Sequence, residues 1–174
     1  MKKVYVLLMH TETLPSKVVK TFTRYEYSHV AISLDEKCNI IYSFGRKSLH
    51  SIVDGGFSIE MKNGEFFSTF DKTKCIIYEV AVSDRQYLKL ASIIQYMEEH
   101  KEEYKYDFAG IVFRFFRLPV TFKKKYVCSQ FIAYILQKCD IYTFNKKVCF
   151  VKPQDFENLN GFNEIYRGAF KAYC

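Results

Sequence analysis

Apolar positions fall along this chain in short blocks separated by polar turns, and the period of the blocks changes from one region to the next. Val4–Met9 is a continuous apolar run of strand length, which predicts a buried first strand. Pro15 suits the first turn of a helix, and Val18, Val19 and Phe22 share one side of a predicted helix Pro15–Thr23. His29–Leu34 and Asn39–Phe44 are β-rich runs on either side of Asp35-Glu36-Lys37-Cys38, the pattern of a hairpin. Residues 45–56 carry loop composition. Phe57–Met61 and Cys75–Val82 predict two further strands.

After Val82 the period lengthens. Ser83 and Gln86 have the spacing of a capping box, opening a helix that runs to about Tyr104. Tyr87, Leu90, Ala91, Ile94 and Met97 fall on one face of it, and Glu98, Glu99, Glu102 and Glu103 belong to a solvated surface. Asp107–Leu118 is an aromatic, helix-compatible stretch stopped by Pro119. A further helix runs from Cys128 to about Lys138. A short helix start follows at Val151–Phe156, and Phe162–Phe170 predicts a last strand. Without internal repeat or linker, the pattern predicts one α+β domain over residues 1–174.

Composition narrows the picture. The chain is long enough, and at 49% apolar residues rich enough, to bury a real core. Its net charge of +7 either serves solubility or points to an anionic partner. The N-terminal apolar run is too short for a signal-peptide core, and no run approaches the roughly 20 residues of a membrane span. These features predict a cytoplasmic protein whose six cysteines are reduced thiols. No glycine-rich phosphate loop and no Cys-x-x-Cys pair occurs, so nucleotide and zinc-finger readings lack their spacing. No cofactor and no metal is expected.

The chemistry centres on Cys128. It follows Lys123-Lys124-Lys125 and opens the apolar stretch Val127–Leu136, so it should sit in the first turn of a buried helix. Unpaired N–H groups, the helix dipole and the nearby lysines would all favour its thiolate. A catalyst also needs a base, and His29, at the mouth of an apolar strand, has a suitable pKa. The Cys128 N–H, with Gln130 as a substrate-binding neighbour, could hold an oxyanion. Cys139 reads as core filling, Cys38 and Cys174 as exposed and incidental. Arg114–Leu118 with Lys123–Lys125 interleaves aromatic and basic groups. Such a strip is more often an aromatic core strip with solvated charges beside it; it could also rest on an anionic membrane surface or, as the weaker alternative, stack bases and contact phosphate.

Three segments carry a resemblance: Ser28-His29-Val30-Ala31-Ile32-Ser33-Leu34-Asp35, Tyr42-Ser43-Phe44-Gly45-Arg46 and Tyr126-Val127-Cys128-Ser129-Gln130-Phe131-Ile132. Together they resemble the circularly permuted, NlpC-type branch of the papain-like cysteine hydrolases, which includes YiiX-like proteins and, more distantly, the lecithin:retinol acyltransferase family. The histidine strand precedes the cysteine helix, and Val151-Lys152-Pro153-Gln154-Asp155 looks like the family's Pro-containing continuation. The resemblance implies an antiparallel sheet packed on a central helix carrying the cysteine, and in such a fold the strip from Arg114 to Lys125 would line the approach to Cys128. It makes Cys128 the nucleophile and His29 the general base, and sets Tyr42 or Ser43 at the third, orienting position. Neither is acidic, which departs from the usual pattern; Glu60 and Asp107 are substitutes, and a Cys–His dyad is the other alternative. It implies hydrolysis or transfer at an amide, ester or thioester of a peptide-like or acylated, anionic small molecule. A non-catalytic module binding an acylated or anionic ligand in the same cleft is the rival reading.

Overall fold

The computed structural model describes residues 1–11, 25–46 and 54–174. The predicted helix Pro15–Thr23 and the middle of the 45–56 segment lie outside the described residues. The strands are β1 (Lys2–His10), β2 (His29–Ser33), β3 (Ile40–Arg46), β4 (Gly55–Met61), β5 (Lys74–Val82), β6 (Lys105–Tyr106), β7 (Lys125–Tyr126) and β8 (Phe162–Ala169). The helices are α1 (Glu65–Thr69), α2 (Asp84–Glu99), α3 (Phe108–Phe115) and α4 (Cys128–Lys138). The fold is α+β.

The eight strands among the described residues form one sheet in the order β7-β6-β4-β3-β2-β1-β5-β8. It is mixed rather than purely antiparallel: every pairing is antiparallel except β6 with β7, which α3 connects as a short crossover. β1 is an interior strand because its apolar run can be buried on both faces, and all of Val4–Met9 is buried. Alternate side chains supply two cores. Val6, Leu8, Val30, Ile32, Phe44 and Phe57 meet α2 and α4 on one face. Tyr5, Leu7, Met9, Ala31, Ile41 and Cys75 meet Phe67 of α1 and Phe170 on the other.

The helices follow their local signals. α2 has the full Ser83–Gln86 capping box and buries Leu90, Ile94 and Met97. It ends at Glu99, earlier than Tyr104, and a 3-10 turn Lys101–Glu103 follows. The Asp107 carboxylate caps α3 by accepting from the Gly110 N–H at 2.9 Å. Cys38 is a correction to the sequence reading: it is fully buried in the second core, not exposed in the hairpin turn. Its φ of +51° turns the chain inward, and burial pushes its thiol up to about 12. Among the described residues, no helix is long and apolar enough to cross a membrane.

Candidate active site

α4 begins at Cys128, and its N-cap is Val127, whose apolar side chain makes no capping hydrogen bond. The first N–H groups of the helix are therefore left for another acceptor. The Cys128 sulfur lies within the field of these groups. Its own N–H and that of Ser129 both favour its thiolate, as does the N–H of Val30, on the peptide bond joining His29 to Val30. The nucleophile candidate thus lies against the backbone of its candidate base, although 99 positions separate Cys128 from His29 in the sequence. The Ser129 hydroxyl donates to the Val151 carbonyl at 2.7 Å, fastening the helix start to the Pro-containing segment.

Burial outweighs these donors. Cys128 is only 6% exposed, and desolvation raises its thiol above the ordinary 9.0, where the sequence suggested a thiolate at neutral pH. The lysine run does not supply the expected positive field. Lys124 pairs with Glu103, and Lys125 lies 5.5 Å over the Phe122 ring. The cation that acts on the sulfur is Arg114.

His29 starts β2 where that strand parts from β3. The two strands share one bridge, Ile32↔Tyr42, and toward His29 the Ser43 hydroxyl, donating to the Val30 carbonyl at 2.6 Å, takes over from the ladder. Continuing the register sets His29 across from Gly45. The imidazole Cε1 lies 3.7 Å from where a Cβ on Gly45 would be, and the Ser58 Oγ lies 3.5 Å from the same point. Burial lowers the imidazole to about 4, so it is neutral at pH 7.

The other sequence candidates sit elsewhere. Tyr42 stacks on Phe57 at 6.4 Å in the first core, and Ser43 spends its hydroxyl on Val30. The residue opposite His29 is thus Gly45, neither Tyr42 nor Ser43. Glu60 is pushed up to about 7 by burial. It lies four residues along β4 from Gly56, the partner of Gly45, or about 13 Å at strand rise. Asp107 is fully buried and committed to Arg114, whose Nη2 donates to it at 2.5 Å.

That ion pair organises the other side of the thiol. The same Arg114 Nη2 donates to the Gln130 Oε1 at 2.7 Å, linking α3 to the first turn of α4. Gln130, the expected substrate-binding residue, is buried, and its amide oxygen is occupied by Arg114. Tyr106 joins the group. Its phenol is held neutral chiefly by burial, then by the fields of Cys128 and Asp107, with Arg114 opposing. Its ring passes over Gly55, where an added Cβ would come within 2.7 Å of the Tyr106 Cβ. Sequence reasoning missed Tyr106 and counted Arg114 among solvated charges, whereas it is paired with Asp107 and Gln130. Asp107 ahead of an apolar run was the available signal, because a buried N-cap carboxylate needs a cation.

No known family model and no curated protein matches this chain.

Proposed function

We propose that this chain is a cysteine hydrolase or acyltransferase of permuted papain-like fold, acting through Cys128 and His29. The observation that carries the reading is the Cys128 sulfur at an uncapped helix N-terminus, against the peptide N–H next to His29. With the thiol pushed up and the imidazole pushed down, the resting pair is neutral. His29 therefore acts as a general base at the moment of attack rather than as half of a standing ion pair.

Strand alternation assigns His29 to the face of Ala31 and Val30 to the face of α4. On this reading the imidazole, which lies beside Gly45 and Ser58, must reach the sulfur around the end of the sheet, where β2 leaves β3 and Gly45 puts no side chain in the way. His29 takes the Sγ proton as sulfur bonds to the carbonyl carbon. The carbonyl electrons move to oxygen, toward the Cys128 and Ser129 N–H groups and the Tyr106 hydroxyl. The C–N, C–O or C–S bond then breaks, the imidazolium hands its proton to the leaving group, and an acyl-thioester remains. Water or another acceptor releases the acyl group. Arg114, neutralised by Asp107 and braced by Gln130, holds the helix start and the phenol in place.

The neutral resting state also favours the second reading, a cleft that binds an acylated or anionic ligand without turning it over. Rates of iodoacetamide labelling separate the two in a Cys174→Ser background, which removes the exposed thiol. The enzyme reading expects His29→Gln to slow labelling of Cys128 at neutral pH at least tenfold. Equal rates with and without the imidazole favour the binding module.

A further inference from the structure

α3 turns its apolar side outward. Phe108, Ile111, Val112 and Phe116 recur at three- and four-residue spacing, and all are exposed, Val112 at 57% and Phe116 at 65%. Leu118 continues the patch. The polar business of the helix faces inward instead, with Gly110 buried and Arg114 joined to Asp107 and Gln130. A helix that turns its cation inward and exposes its aromatics is reversed from the ordinary surface pattern, and such a face calls for a partner.

The charge around the patch identifies that partner. Between Tyr104 and Cys139 the only acid is Asp107, and its charge is spent on Arg114. Lys105, Arg117, Lys123 and Lys125 are exposed around α3. Lys105 and Lys125 are direct partners in the β6–β7 ladder, so two like charges are held side by side at the foot of the helix. Like charges placed directly opposite are unfavourable unless an anion offsets them. Exposed aromatic and branched side chains ringed by cations match a bilayer interface, where acyl tails accept the rings and lipid headgroups the charge.

We propose that the outward face of α3 and its basic rim form a docking surface for an anionic lipid bilayer. α3 would lie in the interface with Val112 and Phe116 deepest, while Lys105, Arg117, Lys123 and Lys125 meet the headgroups. The face borders the thiol through Arg114 and Gln130, but docking does not depend on Cys128 chemistry.

The test is cosedimentation of the full chain with vesicles of phosphatidylcholine alone or mixed with phosphatidylglycerol. The expected result is binding to the mixed vesicles at low salt, little binding to neutral ones, and release as salt rises. The double variant Val112→Asp, Phe116→Asp should lose binding while keeping the wild-type circular dichroism and thermal melt, because both side chains are exposed. Lys123→Gln with Lys125→Gln should weaken binding about tenfold or more. Cys128→Ser should bind like wild type, which separates this surface from the catalytic reading. Absence of vesicle binding by the wild type overturns the proposal. So does binding that the two aspartates leave intact, a dimer that they dissociate, or capture of a single-stranded oligonucleotide in preference to vesicles.

Discussion

At Cys128 the helix terminus and the surrounding protein act on one proton in opposite directions. Three backbone N–H groups and Arg114 favour the thiolate, and burial favours the thiol by more. At His29 burial acts without an acidic partner to oppose it. Both shifts enter stability. The His29 pKa falls on folding from 6.5 to about 4, so the folded chain prefers the neutral ring. That contribution is complete above pH 6.5 and is lost as pH falls toward 4, up to about 3 kcal/mol. The melting temperature should therefore drop across this window, and His29→Gln should flatten the drop; an unchanged acid limb in the variant would show that other groups cause it. The thiol shift has the opposite sign. Its contribution is complete below pH 9 and declines above, so alkylation of Cys128 should still be climbing above pH 9. A plateau for Cys128 near neutrality would contradict the neutral resting pair.

Two-residue elements set much of the site, and they explain what the sequence hid. β1, β5, α2, α4 and β8 are long enough for their apolar period to be read, and they stand near their expected places. β6 and β7 span two residues each, too short for any periodicity, although they carry Tyr106 and lead into Cys128. The 45–56 segment has loop composition because of its glycines, yet Gly45, Gly55 and Gly56 are strand residues. Gly55 is there because the Tyr106 ring needs the space, a long-range reason that no local pattern records. Gly55→Ala should force Tyr106 aside and cost about 1–3 kcal/mol by denaturant unfolding. Asp107→Ala removes the α3 cap and leaves the part-buried Arg114 without its counter-ion, for a loss of roughly 3–5 kcal/mol. A loss below 1 kcal/mol would mean that the ion pair does not brace α3 against α4.

For the whole molecule, the sheet order matters most. With β2 beside β1 and α4 packed across β2 and β3, residues from the first and last thirds of the chain meet at one sheet end. The sequence offered Cys128 and His29 as candidates, because each opens an apolar run of its own element. The third position was not legible, since it depends on how far β2 and β3 run together, and they separate after one bridge. The surplus of positive charge is likewise uneven, gathered around an outward apolar helix, which composition alone does not locate.

The most direct test of the central claim is acyl transfer to the sulfur. In a Cys174→Ser background, p-nitrophenyl acetate should acetylate a single residue, found by peptide mass spectrometry at Cys128. His29→Gln should slow that acylation about 100-fold or more, the usual scale of general-base assistance. Acetylation spread over several side chains, or a Cys128 rate that does not respond to loss of the imidazole, would contradict the account.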